Sequence, residues 1–193
     1  LSHKNYDNNT DEMRIIADHL RGAYLLAAQG LTPSNKAQGY ALRRLVRRAV
    51  LRALDLGIGQ EFIAEIIPVI AENYAELSDD ILPCRAQVID VLTKEESAFR
   101  KTINKGLKEL HRMAQTGSET LTGYDLFKLQ DTYGFPLELS VEEVYKQGLN
   151  LSKNYQDEFE HALNEQRERS KTASKGMFKG GLSDTGEQTV KYH

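Results

Sequence analysis

The run from Leu31 to Arg52, Leu-Thr-Pro-Ser-Asn-Lys-Ala-Gln-Gly-Tyr-Ala-Leu-Arg-Arg-Leu-Val-Arg-Arg-Ala-Val-Leu-Arg, restricts the fold more than any other stretch. A Pro-Ser-Asn turn opens into a segment whose apolar and cationic residues separate at the helical step of about 100° per residue. Leu42, Leu45, Val46, Ala49, Val50 and Ala53 fall on one side; Arg43, Arg44, Arg47, Arg48 and Arg52 fill most of the other. Ser34 and Asn35 are candidate N-caps, because a short side-chain oxygen can accept from the orphan N–H groups of a first turn. Five arginines against the single Asp55 give this helix a local charge of +4 in a chain of net charge −3. The positive charge is therefore placed, not compositional. Guanidinium forks match phosphate oxygens and stack on bases, so such a face suits a nucleic-acid backbone. The same pattern also suits acidic neighbours, a membrane surface or a partner helix, and the helix alone does not separate these readings.

At 193 residues the chain can bury a sizeable core in one large domain or two small ones. It is 40% hydrophobic and 27% charged, with no apolar run near transmembrane length, and no membrane is implied. One cysteine, Cys84, excludes an internal disulfide and a multi-cysteine zinc site and fits a reducing compartment, so a cytoplasmic location is expected. The five histidines lack metal-ligand spacing, and His19, on or beside an apolar stripe, reads as a packing residue. The start at Leu-Ser-His, without an initiator methionine or a signal pattern, is expected of a piece of something longer.

In chain order, residues 1–10 read as a linker, and Thr10 or Asp11 caps a helix that Gly30 ends. A third helix over about 61–76 carries Phe62, Ile63, Ile66, Ile67, Val69 and Ile70 and is expected in the core, with Pro68 kinking or breaking it. A long helix over about 84–114 places Val88, Leu92, Phe99, Ile103, Leu107 and Leu110 in one seam, and its Lys94-Glu95-Glu96 portion reads as a solvated face. The turn-rich stretch 115–123 is the best internal boundary. Beyond it, a helix on Leu126, Phe127 and Leu129 must stop at Gly134, and Ser140 caps another that Gly148 terminates. Asp131 sits in the last turn of the first of these, where a carboxylate opposes the helix dipole; this points to a function or a cationic neighbour. A long charged helix follows over 152–175, and 188–192 reads as the start of a strand, with no convincing strand before it. The expected fold is all-α, two-lobed: linker 1–10, first lobe 11–115 with the arginine helix, second lobe 116–175, and a tail at 176–193.

Arg14-Ile-Ile-Ala-Asp-His-Leu-Arg21, Pro33-Ser-Asn35, Gly39-Tyr-Ala-Leu-Arg-Arg-Leu-Val-Arg-Arg-Ala-Val50, Asp131-Thr-Tyr-Gly-Phe-Pro-Leu-Glu-Leu139 and Phe178-Lys-Gly-Gly-Leu182 appear in this order. Together they resemble the alanyl-tRNA synthetase family over essentially the whole chain. The resemblance implies the helical tRNA-recognition region between the class II catalytic domain and the editing domain. It places ATP and Mg in the first of those domains and Zn in the second, so no cofactor is expected in these residues and the chain alone is expected to be catalytically inactive. The implied partners are the acceptor stem of the tRNA for alanine and the remaining domains of the same protein.

The resemblance further implies that Asn35 and Asp131 read a wobble G·U pair in that stem. Wobble geometry leaves the guanine 2-amino group without a Watson–Crick partner in the minor groove, and a carboxylate can accept from it. An RNA minor groove is wide and shallow enough for a side chain at a helix end to reach base edges. Lys36, Arg43, Arg44, Arg47, Arg48 and Arg52 would then hold the phosphate backbone. The sequence departs from the family pattern at Lys36-Ala37-Gln38, which stands where an acidic residue and then an arginine are usual; Lys36 supplies a charge nearby. The alternative from the residues themselves is a helical protein-interaction scaffold whose basic face docks an acidic partner. A hydrolase built on Glu95 and Glu96, or on Glu142 and Glu143, is disfavoured, since adjacent helical residues point about 100° apart.

Overall fold

The computed structural model describes residues 1–74, 83–115 and 120–179, with side chains described up to residue 172. The expected strand at 188–192 and the middle of the 115–123 connector lie outside these residues. The described chain is helical: α1 (Thr10–Ala28), α2 (Ala37–Asp55), α3 (Ile63–Tyr74), α4 (Arg85–Gln115), α5 (Gly123–Tyr133), α6 (Leu137–Lys146) and α7 (Tyr155–Lys179). Two short strands, β1 (Thr120–Leu121) and β2 (Asn150–Leu151), pair in parallel and tie the start of α5 to the start of α7. The sequence reading expected no strand here; two-residue strands carry too little alternation to be seen.

The periodicity of α1 and α2 translates directly into packing. Ile16, Leu20, Ala23, Tyr24 and Ala27 of α1 are buried, as are Leu42, Val46, Ala49, Val50 and Ala53 of α2, and the two helices pack along each other. Asn9, not Thr10 or Asp11, occupies the N-cap position of α1, and it makes no side-chain cap. Thr10 Oγ1 instead donates to the Tyr6 carbonyl at 2.9 Å. His19 is half-buried, and burial together with the nearby Arg48 charge lowers its pKa, which favours the neutral packing residue expected of it.

Helix α3 runs through Pro68 without a break. Only one i→i−4 bond is lost there, the one to Ala64, whose exposed position lets water satisfy the carbonyl. Ile63, Ile67, Ile70 and Ala71 face the core, but Val69 is 58% exposed, contrary to the expectation that the whole apolar set is interior. In α4, Val88, Leu92, Phe99, Ile103 and Leu110 form the expected seam. Glu95 and Glu96 are the main correction: they lie in that seam at 7% and 0% exposure, not on a solvated face. Glu95 is held by Arg43 and Arg47, and Glu96 by Arg100 and two backbone N–H groups, which is what allows a carboxylate to be buried.

Beyond the connector a full capping box, Thr122 with Asp125, starts α5, and Gly134 ends it in the left-handed conformation at φ 65°. Pro136 takes the N-cap position of α6, so the helix begins earlier than expected. Ser140 is buried inside it, donating back to the Phe135 carbonyl at 3.3 Å. Phe127 and Phe159 meet edge to face with centroids 6.0 Å apart where α7 packs on α5. Buried side chains of α1 to α7 form one continuous core. No described helix is long and apolar enough to cross a membrane.

Candidate nucleic-acid interface

The arginine face of α2 lies against carboxylates of the chain itself. Arg44 pairs with Glu138 at 2.6 Å and Arg48 with Glu142 at 2.7 Å, both partners on α6. Arg52 bridges Asp55, at 2.6 Å, and Glu142. Arg43 and Arg47 converge on Glu95 of α4: Arg43 Nε donates to Oε2 at 3.3 Å and Arg47 Nε to Oε1 at 2.6 Å. The acidic partner that a scaffold reading looked for outside is supplied within the fold. Exposure divides the set: the Arg44 and Arg48 side chains are 45% and 34% exposed, Arg43 is 22%, and Arg47 and Arg52 are 12%. Burial pulls the Arg47 pKa down against the Glu95 charge, and its guanidinium also stacks over Phe99 at 5.0 Å.

Asn35 and Asp131 line the same cleft, an opening of about 1010 Å³ between the start of α2 and the end of α5. Lys36, Tyr40, Arg43, Arg47 and Gln130 share its walls, and Arg167 of α7 closes one side. Asp131 is exposed, and its carboxylate has no hydrogen bond or ion pair among the described residues. The cation near its helix end acts elsewhere: Arg47 Nη1 donates to the Gly134 carbonyl at the α5 C-cap. Any side chain at Gly134 would be strained by its positive φ, and a Cβ there would lie 2.5 Å from that Nη1.

Ser34 and Asn35 do not cap α2; Lys36 stands at the N-cap position without a side-chain bond. The Ser34 hydroxyl is used in its own turn, accepting from Lys36 N–H at 3.3 Å and donating to the Lys36 carbonyl at 3.1 Å. The Asn35 carbonyl oxygen accepts from Arg43 Nη1, a charge-assisted bond that a neutral backbone N–H does not match. The turn also folds back on the helix, with Ser34 N–H donating to the Gly39 carbonyl at 3.0 Å. A Cβ at Gly39 would stand 2.2 Å from Ser34 Oγ and 2.6 Å from the Thr32 carbonyl oxygen. Gly39→Ala is therefore expected to displace the turn and to destabilise by about 1–3 kcal/mol. Urea unfolding gives the size, and an unchanged Asn35 side-chain NH₂ resonance in the variant would count against the displacement.

Tyr40 and Arg167 did not stand out in the sequence. Tyr40 followed only as part of the Gly-Tyr string; it is half-exposed, with burial and Glu138 raising its pKa. Arg167 sits in a charged helix with no local mark, and only the packing of α7 on α5 brings it to the cleft. It is exposed and bonds only to Asn164 Oδ1, at 3.3 Å, among the described residues.

The helical fold and the charged cleft agree with what sequence comparison finds. The family described as tRNA synthetases class II (A) matches residues 1–191, and the chain belongs to that family. Within it the chain is similar to alanine–tRNA ligases. It is 36% identical over 177 residues to that of Lactiplantibacillus plantarum, covering 88% of this chain and 20% of the relative. It is 38% identical over 164 residues to that of Halalkalibacterium halodurans, covering 83% and 18%. With that of Cutibacterium acnes the identity is 37% over 191 residues, covering 95% and 21%. The chain thus spans about a fifth of the length of the curated relatives it matches.

Proposed function

We propose that this chain is the part of an alanine–tRNA ligase that recognises the tRNA acceptor stem, and that Asn35 and Asp131 read a wobble G·U pair there. The observation that carries the reading is their convergence: two polar side chains from motifs far apart in sequence open onto one cleft. Asp131 is unpaired among the described residues, so its carboxylate is available to accept from a guanine amino group. The backbone grip falls to the more exposed cations, Lys36, Arg44, Arg48 and Arg167, with Arg43 at the edge. Arg47, through the Gly134 carbonyl, and Arg52, through Glu142, tie the first lobe to the second around the cleft. Attachment of alanine, with ATP and Mg, belongs on this reading to another domain, and Zn to an editing domain.

The test is binding to two acceptor-stem hairpins that differ only in G·U against G·C, at fixed low salt. The G·U hairpin should bind more tightly, and Asp131→Ala and Asn35→Ala should each remove about 1–3 kcal/mol of that preference. Lys36→Ala should weaken both hairpins alike and flatten the salt dependence. Equal, salt-sensitive binding of both hairpins by the unmodified chain would reject base reading and leave a phosphate-gripping surface.

A further inference from the structure

Asn35 and Asp131 stand on different elements, so reading one base pair requires something to fix their relative placement. One buried carboxylate touches the support of both. Glu95, 7% exposed in the α4 seam, spends Oε2 on Arg43 Nε at 3.3 Å and Oε1 on Arg47 Nε at 2.6 Å. Arg43 passes the connection to Asn35 by donating Nη1 to its side-chain carbonyl oxygen. Arg47 passes it to the helix bearing Asp131 by donating Nη1 to the Gly134 carbonyl. The Phe99 ring under Arg47 holds that guanidinium from its other side.

A guanidinium has donors only, so the Asn35 atom facing Arg43 is necessarily the oxygen. Its NH₂ is left without a partner among the described residues and is the group available to base-edge acceptors, a purine N3 or pyrimidine O2. We propose that Glu95 is a positioning residue for both readers: through Arg43 it orients the Asn35 amide as a donor, and through Arg47 it sets the end of α5 that carries Asp131. The proposal rests on the base-reading role given above. It adds that specificity depends on a residue that never touches RNA. Lysine in place of Arg43 keeps the charge beside Glu95 but has no rigid fork to reach Glu95 and Asn35 together.

Two readouts on the ¹⁵N-labelled chain test this, in the unmodified protein, Arg43→Lys and Glu95→Gln. The first is the NMR order of the Asn35 side-chain NH₂ without RNA, expected to drop from rigid to below an order parameter of about 0.6 in both variants. The second is the ratio of G·U to G·C hairpin affinities, expected to fall about tenfold in both. Arg44→Gln, which removes a cation outside the Glu95 cluster, should lower both affinities and keep the ratio. If Glu95→Gln fails to fold, Arg43→Lys carries the test alone. An Asn35 amide as ordered in folded Arg43→Lys as in the unmodified chain overturns the positioning role. So does a ratio that survives the substitution. Equal binding of both hairpins by the unmodified chain overturns base reading instead; the amide order then still decides whether Glu95 positions Asn35.

Discussion

Glu95→Ala is expected to destabilise the protein by about 3–5 kcal/mol, the cost of removing one partner from a buried ion cluster. Its carboxylate is the counter-charge for two guanidiniums whose side chains are only 22% and 12% exposed. Without it, Arg43 and Arg47 face each other with no anion between them, and burial already presses against the charge on Arg47. A surface pair of the same sequence pattern would cost at most about 1 kcal/mol, so the size of the effect separates a structural carboxylate from a solvated one. Urea unfolding monitored by helix content measures it. Glu95→Ala/Arg47→Met should regain part of the loss, since it removes one stranded cation and keeps an apolar stem over Phe99. A change under about 1 kcal/mol in Glu95→Ala would mean that water reaches the cluster.

The helices were legible because their apolar residues repeat at the helical period over many turns. This held best for α2 and α4, where the predicted stripes are buried except for the partly buried Leu45 and Leu107. What failed was the assignment of polar residues, for two physical reasons. At Ser34, Asn35 and Ser140, the capping rule lost to other local partners: the Lys36 backbone, the Arg43 guanidinium and the Phe135 carbonyl. At Glu95 and Glu96, composition misled, because a Lys-Glu-Glu run looks solvated. Yet the period held a clue. The stripe passes from Leu92 to Phe99, and a helix seam needs an inward residue between them. Only positions 95 and 96 satisfy that spacing, and both are glutamates.

The arginine face shows the converse. Its segregation from the apolar face was read correctly, but a one-dimensional pattern cannot tell whether cations meet RNA or carboxylates 50 or 90 residues away. Here they meet carboxylates: Glu95 and the α6 glutamates pair with all five arginines, of which Arg43 and Arg47 also line the cleft. The convergence of Asn35 and Asp131 on that cleft was legible only through the family resemblance, since nothing in spacing alone brings a turn before α2 next to the end of α5.

Glu96 should show the second large effect, and for a different reason. It is fully buried, and its carboxylate accepts from Phe62 N–H at 3.1 Å and Ile63 N–H at 3.1 Å, capping α3 from another helix. The same group takes Arg100 Nε at 2.9 Å, and Arg100 in turn donates to the Gly59 carbonyl at 3.0 Å and lies over Phe62 at 5.7 Å. One carboxylate therefore satisfies two orphan donors of a helix start, interacts favourably with the positive end of its dipole, and balances a buried cation. Glu96→Ala leaves both N–H groups unsatisfied and Arg100 without its counter-charge, and a loss of about 3–5 kcal/mol is expected. Glu96→Gln keeps an acceptor for the N–H groups and should lose less. Amide exchange distinguishes the causes: in Glu96→Ala the first turn of α3 should exchange faster relative to α1 and α2, because its cap is gone. Uniform acceleration across all helices, with α3 no different, would mean that Glu96 stabilises the fold through Arg100 alone.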